Sequence, residues 1–163
     1  MSSNIYIIDT SSLIDLNIHN PIDVYPSVWK KLEQMIRKGL LIAPKEVFNE
    51  IKQQDDKLSK WVKKQRNLFK RISKEQTRIV TQILQKYPSI IKVDRKYDAD
   101  PWVIALAVEM TNSRQTTLFS IKKIVVTEER LAGLKVKIPL ICKEYNIDCI
   151  NVIDMFRNEG IKF

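Results

Sequence analysis

The chain has 163 residues, a formal net charge of +9 and a hydrophobic fraction of 44%. These values are typical of one ordered globular domain with its own core, and they exclude an intrinsically disordered chain. Its two cysteines, Cys142 and Cys149, have no cluster of Cys or His around them, so neither a zinc site nor a disulfide framework is expected. The apolar run WVIALAV is too short to span a bilayer, and we expect a cytoplasmic protein without a membrane partner.

Apolar runs predict short buried strands along the chain. The strands are expected at residues 4–8, 40–42 and 121–126, with a further one near 148–152. Helical patterns lie between them: an apolar stripe covers 27–38, Pro44 opens a short helix, and Pro101 opens a helix that is apolar all round. This alternation predicts a single α/β domain over residues 1–163, a three-layer α/β/α sandwich with a central parallel sheet.

The positive charge is concentrated in the middle third of the chain. Residues 51–97 hold 14 Lys/Arg and 4 Asp/Glu, whereas residues 98–163 hold nine of each. A positive region beside acidic ones favours a polyanionic ligand held next to a carboxylate site. A solvated face on two long helices explains the same excess, and charge alone does not separate the two explanations.

Two apolar stripes in this basic region predict a helical hairpin at about 53–87, inserted into the α/β unit. Ser73 and Gln76 are expected to form a capping box between its two helices. The outer faces carry basic residues, which we expect to hold a nucleic-acid backbone with little sequence preference. These residues are Lys60, Lys63, Lys64, Arg66, Lys70, Arg71, Lys74 and Arg78.

Four acidic residues stand where a parallel α/β sheet gathers its ligands, beyond the carboxyl ends of the strands. Asp9 ends the first strand, and Glu129 follows the late strand; the two face one crevice if those strands are neighbours. Asp100 begins the buried helix, and Glu50 lies near the apolar face of the short helix after the second strand.

Each acid also has an ordinary explanation. Asp100 is a good helix N-cap, Glu129 suits a first helical turn after Thr127, and Glu50 suits a solvated helix face. Asp9 is the exception, because a carboxylate that ends a buried strand must be paired, coordinated or neutralised.

The succession of these segments resembles a PIN domain. This nuclease fold is shared by many toxins of prokaryotic toxin–antitoxin modules, by ribosomal RNA processing enzymes and, more distantly, by flap endonucleases. The family places acids after the first strand, on the helix after the second strand, at the start of the later buried helix and after the following strand. The matching segments are IYIIDTSSLI, PKEVFNEI, DADPWVIALA and IVVTEE.

The resemblance implies a metal-dependent endoribonuclease. Clustered carboxylates repel one another unless a hard divalent cation offsets their charge, so Mg²⁺ or Mn²⁺ is expected. Asp9, Asp100 and Glu129 would be the principal ligands. Glu50 would be an outer ligand or would orient the attacking water.

Neighbouring residues would support this set. The hydroxyls of Ser11 and Thr127 would hold the carboxylates in place, although Ser11 also suits a turn or a helix cap. Asp98 would be either an auxiliary ligand or a solvated acid. The family's fourth acid is most often an aspartate, whereas this chain has glutamate, and Glu128 competes with Glu129 for the role.

The resemblance also implies partners: RNA, a small antitoxin protein and a second copy of the chain in a homodimer. Two other classes stay open. A PIN-like module that binds RNA or a protein without cleaving it would keep the same fold. A Mg²⁺-dependent phosphatase would also place an aspartate after the first strand, but the haloacid-dehalogenase pattern needs a second aspartate where this chain has Ser11.

Overall fold

The computed structural model describes residues 4–54, 56–92, 94–113, 121–133 and 135–163. These residues form five strands and eight α-helices. The strands are β1 (Asn4–Ile8), β2 (Leu41–Pro44), β3 (Phe69–Lys70), β4 (Lys122–Val126) and β5 (Asp148–Ile150). The helices are α1 (Thr10–His19), α2 (Pro26–Arg37), α3 (Lys45–Ile51), α4 (Lys57–Lys64), α5 (Lys74–Lys86), α6 (Asp100–Asn112), α7 (Ile138–Glu144) and α8 (Val152–Asn158). None of the helices in this part of the chain is long and apolar enough to cross a membrane.

All strand pairs are parallel, and the strand order is β3-β2-β1-β4-β5. The central strand β1 pairs with β4 along its whole length, from Asn4 opposite Lys122 to Ile8 opposite Val126. From β1 the chain first builds β2 and β3 on one side and then β4 and β5 on the other. The carboxyl ends of β1 and β4 therefore flank the point where the strand order reverses, which is where open α/β sheets bind ligands.

The core lies on this sheet. Tyr6, Ile7 and Ile8 of β1 are fully buried, as expected for a strand covered on both faces. α6 packs against β1, β2 and β4, with α5 and α7 beside it. Because α6 has neighbours on several sides, its run from Val103 to Val108 is buried all round. The fold is the predicted α/β class, a three-layer α/β/α sandwich around a parallel sheet.

The predicted insertion at 53–87 contains two helices, α4 and α5, but they are not joined as a simple hairpin. The first helix, α4, ends at Lys64, and a 3₁₀ turn at Arg66–Leu68 leads into β3, which pairs with Ala43 and Pro44 of β2. This pairing satisfies backbone groups that would otherwise lie on an open sheet edge. The apolar residues around Leu68 therefore belong to a turn and a strand rather than to a continuous helical stripe.

The start of α5 follows the predicted cap in part. Ser73 is the N-cap, and its hydroxyl accepts a hydrogen bond from the backbone N–H of Gln76 at 3.0 Å. The Gln76 side chain does not complete the reciprocal box. It donates instead to the carbonyl of Arg71 and to the carboxylate of Glu109.

Two further boundaries differ from the sequence pattern. Pro44 is the last residue of β2 and the cap position of α3, so that helix begins at Lys45. The pattern also missed α1, which starts directly after Asp9. Asp9 caps α1 by accepting a hydrogen bond from the backbone N–H of Ser12 at 2.8 Å, which allows the chain to pass from strand to helix without a loop.

Candidate active site

Asp9 lies at the carboxyl end of β1 and is only 1% exposed. Its backbone N–H donates to the carbonyl of Val126 at 3.0 Å, so the residue is fixed against the end of β4. Besides the bond from Ser12, its carboxylate accepts hydrogen bonds from the hydroxyl of Ser11 at 2.8 and 2.9 Å and from the hydroxyl of Thr127. Both hydroxyls thus hold the carboxylate in the way that the sequence predicted.

The environment of Asp9 acts on its ionisation in two opposite ways. Burial raises the pKa of the Asp9 carboxyl, and the hydrogen bonds from Thr127, Ser12 and Ser11 lower it; the result is a pKa of about 6. Burial is the larger effect because the carboxylate has lost nearly all of its water. The hydrogen bonds keep ionisation within reach of neutral pH.

Glu50 points inward from α3 and joins three parts of the chain. Its Oε1 accepts a hydrogen bond from the backbone N–H of Ala99 at 2.8 Å and one from the hydroxyl of Thr10 at 3.1 Å. Its Oε2 lies 3.9 Å from the Arg95 guanidinium. Burial raises the pKa of Glu50, and these donors oppose that shift. The residue is therefore not the solvated helix acid of its ordinary explanation.

Asp100 is the first residue of α6, but it is not the helix N-cap. Ala99 occupies the cap position, without a side-chain hydrogen bond. Within the described ranges, no donor reaches the Asp100 carboxylate. Its pKa is raised to about 8, first by burial and then by nearby negative charges. In decreasing order of effect, these charges are Glu129, Asp98, Asp9 and Glu50.

The two consecutive glutamates after β4 point to different neighbours. Glu129 accepts a hydrogen bond from the backbone N–H of Ile138 at 2.9 Å, and it is the strongest charged neighbour of Asp100. Glu128 accepts one from the backbone N–H of Val152 at 3.0 Å, the first residue of α8. Glu129 therefore belongs with the other acids, whereas Glu128 holds the start of α8.

Asp98 shapes the segment that leads into α6. Its two carboxylate oxygens accept hydrogen bonds from the backbone N–H groups of Lys92, at 2.9 Å, and Asp100, at 3.3 Å. These bonds close a turn just before the helix. Asp98 is thus a structural neighbour of the acid cluster, and its charge adds to the negative potential at Asp100.

The acids gather at a cleft of about 910 Å³ at the carboxyl ends of the strands. Glu50, Asp100, Glu128 and Glu129 line it directly, and Asp9 lies behind Thr10 and Ser11. The cleft also has basic walls, formed by residues outside the predicted nucleic-acid-binding set. The lining cations are Lys92, Arg95, Lys96, Arg130 and Lys137.

The eight basic residues predicted to hold nucleic acid are exposed, as expected. In the part of the chain that the structure describes, however, none of the eight lines the acidic cleft. Lys70 and Arg71 line a second cavity, of about 850 Å³, together with residues at the amino ends of β1, β4 and β5. The cations that line the acidic cleft come instead from the loops before α6 and after β4.

The sequence contained a signal for part of this missed set. Arg95, Lys96 and Tyr97 stand immediately before the DAD that opens α6, within the basic third of the chain. The charge pattern predicted basic helix faces, and these residues lie on no helix, so the pattern did not indicate them. Thr10, which holds Glu50, had no signal beyond its place next to Asp9.

The donor set suits a hard divalent cation, because all of its candidate ligands are carboxylate oxygens. As the side chains stand, no group of three His, Cys, Asp or Glu among the described residues has an arrangement that could hold a metal ion. The carboxylate oxygens of Asp9 and Glu50 already accept hydrogen bonds from donors of the chain itself. Asp100 has like charges around it and no donor among these residues, so a cation there would offset its repulsion. The chemistry of the residues fits Mg²⁺ or Mn²⁺.

Comparison with known proteins gives one match. Residues 6–163 match the family described as a domain of unknown function, DUF4411. No curated protein and no solved structure matches the chain.

Proposed function

The chain belongs to the DUF4411 family, and we propose that it is a metal-dependent endoribonuclease that hydrolyses RNA phosphodiester bonds. One observation carries this proposal: Asp9, Glu50, Asp100 and Glu129 come from four separate parts of the chain and gather where the strand order of the sheet reverses. A buried cluster of like charges lowers stability unless a ligand compensates it, and active sites are where such clusters occur. The resemblance to PIN domains adds the reaction class and the substrate.

The acidic residues would have two roles, metal binding and orientation of the attacking water. Asp100 and Glu129 would bind the cation together with Asp9, whose orientation Ser11 and Thr127 fix. Glu50 would act as an outer ligand or orient the attacking water from its position beside Thr10 and Ala99. When bound, a divalent cation supplies charge compensation for the phosphodiester and a more acidic water.

A non-catalytic module that binds RNA is the second candidate, and a specific observation favours it. The Asp9 carboxylate already accepts bonds from Ser11, Ser12 and Thr127, which satisfies it as a helix cap. A chain that only binds RNA would need nothing more from this residue. Cleavage, rather than binding, is therefore the measurement that separates the two candidates.

The direct test is cleavage of a mixed single-stranded RNA pool by purified protein with Mn²⁺ or Mg²⁺, with and without a chelator. We expect cleavage that needs the metal and is lost in Asp9→Asn and Asp100→Asn. Asparagine is as good an N-cap as aspartate, so Asp9→Asn should keep α1 folded, and circular dichroism checks this. The matched control is Asp148→Asn at the amino end of β5, which should cleave like the wild type. Cleavage that survives both site variants would refute the proposal.

The toxin assignment within this proposal rests on the resemblance alone. A toxin would stop growth when expressed without its antitoxin, and Asp100→Asn would relieve the arrest. A short DNA-binding protein encoded beside this chain would be the expected antitoxin, and co-purification would show whether the two associate. An RNA-processing enzyme would show neither growth arrest nor such a neighbour.

A further inference from the structure

The cleft contains an aromatic ring that the proposed chemistry does not use. Tyr97 is half-buried and lines the same cleft as Glu50 and Asp100. The Tyr97 hydroxyl makes no hydrogen bond within the described ranges, and it is not buried. The ring is therefore placed in the cleft without a polar anchor.

Cations surround this ring. The ammonium groups of Lys96 and Lys52 lie 5.4 and 5.8 Å from its centroid. These distances are near the 6 Å limit of a cation–π contact, so the contacts are weak. Both lysines are exposed and can turn toward a phosphate without leaving a buried charge behind. The ring face can then accept another planar group.

The position of Tyr97 is set by its neighbours. Asp98 ties the segment to the backbone of Lys92 and to the start of α6, and Arg95 reaches toward Glu50. Tyr97 thus lines the same cleft as the acids and the basic residues. A nucleic-acid strand needs both kinds of contact next to a cleavage site, cations for its phosphates and a flat surface for its bases.

We propose that Tyr97 stacks on one unpaired base of a single-stranded RNA whose phosphates are held by Lys92, Arg95 and Lys96. The substrate class, single-stranded RNA, rests on the proposed function; the stacking contact between Tyr97 and a base is the new step. A duplex keeps its base faces stacked inside the helix, so the Tyr97 ring cannot stack on them. A single strand presents a free base face. Every base has such a face, so the contact tolerates any sequence.

The test measures binding rather than cleavage. Fluorescence anisotropy of a labelled 10-nucleotide RNA is recorded in the Asp9→Asn background, where no cleavage is expected. Tyr97→Ala should weaken binding roughly 5- to 160-fold, the loss that alanine substitution of one stacking side chain gives. Tyr97→Phe should bind like the parent, because it keeps the ring. Tyr25→Ala, at an exposed tyrosine outside the cleft, is the matched control and should change nothing.

The same RNA annealed to its complement gives the second arm. Tyr97→Ala should leave duplex binding unchanged while it weakens single-strand binding. Equal single-strand affinities for Tyr97→Ala and its parent would overturn the inference, as would an equal loss in Tyr97→Phe. Stronger competition by polyglutamate than by unlabelled RNA would show that the cleft takes an acidic protein instead.

This result and the proposed function fail separately. If Tyr97→Ala weakens binding as expected but the wild type does not cleave with Mn²⁺, the chain binds single strands without hydrolysing them. If the wild type cleaves and Tyr97→Ala cleaves with an unchanged KM, the ribonuclease stands and the stacking contact does not.

Discussion

Two cavities of similar size lie at the two ends of the same sheet, and the acidic residues in them have different partners. In the cavity at the amino ends of the strands, Glu109 accepts hydrogen bonds from Ser73 and Gln76, and Asp148 forms an ion pair with Lys122. In the cleft at the carboxyl ends, Asp100 has four acidic neighbours and no donor among the described residues. Acids with hydrogen-bond or ion-pair partners stabilise a fold, whereas a cluster of acids that repel one another indicates a ligand-binding site.

The same comparison applies to the basic residues. Lys70 and Arg71 reach the amino-end cavity, and both come from the segment where the sequence concentrates positive charge. Of the cations that line the acidic cleft, Lys92, Arg95 and Lys96 come from the end of the same basic segment, and Arg130 and Lys137 follow β4. The net charge of a segment therefore does not predict at which end of the sheet its side chains lie.

The largest expected effect concerns the two glutamates after β4. Glu129→Gln should lower the cleavage rate about 100-fold, at or beyond the upper end of the loss caused by changing a residue that only supports a metal ligand. Glu128→Gln should leave the rate nearly unchanged, because its remaining carbonyl oxygen can still accept from the N–H of Val152. Single-turnover cleavage with Mn²⁺ measures both. The opposite order would move the site toward α8.

A smaller effect should separate the two basic regions. In the double variant Lys92→Gln/Lys96→Gln, the slope of log affinity against log salt should fall by about 1.4, at about 0.7 for each phosphate contact on a single strand. The matched double variant Lys70→Gln/Arg71→Gln should keep the parent slope. Salt titrations of RNA binding in the Asp9→Asn background provide the measurement. If the second variant changes the slope and the first does not, the sequence-based assignment is correct.

The smallest effect is on stability and follows from Asp100. Its pKa is about 8 in the fold and 3.8 in the unfolded reference, so the folded state holds the proton more tightly. This stabilisation is complete below pH 3.8 and is lost as the pH rises through 8. In a chelator, the melting temperature should therefore fall from pH 5 to pH 8, by about 2–4 °C for each kcal/mol lost.

Mn²⁺ or Mg²⁺ should reduce this fall, because a cation favours the ionised carboxylates. Asp100→Asn should flatten the pH dependence in chelator and weaken the response to metal, while Asp148→Asn keeps both. Differential scanning fluorimetry across the pH range measures each of these. A melting temperature that rises with pH in the wild type would show that the fold does not raise the pKa of Asp100.

Local patterns predicted the parts of the fold that local forces determine. β1 and β4 were visible as apolar runs, and α6 as a helix apolar on all sides after a proline. β3 was not visible, because two residues carry no period and form a strand only by pairing with β2. The hairpin error has the same cause, since tertiary pairing overrode an apparent helical stripe.

The acids were predictable because each stands at a boundary between elements, where a parallel sheet turns its side chains toward one edge. The partners of those acids were not. Thr10 and Ala99 meet at Glu50 from positions 40 and 49 residues away, a contact that no window along the sequence contains. Arg95 and Tyr97 have no regular secondary structure, so no periodicity marked them.

During synthesis, the central strand β1 is made long before its neighbour β4. Asp9 and Thr127, which close the pairing of β1 with β4, are 118 residues apart. At ~5–20 residues per second, the ribosome needs about 6–24 s to make that stretch. Throughout that interval one edge of β1 is open to pairing with other chains. The nascent chain also lacks the β4 half of the cleft during this interval, so the acid cluster assembles only after Glu129 has been made.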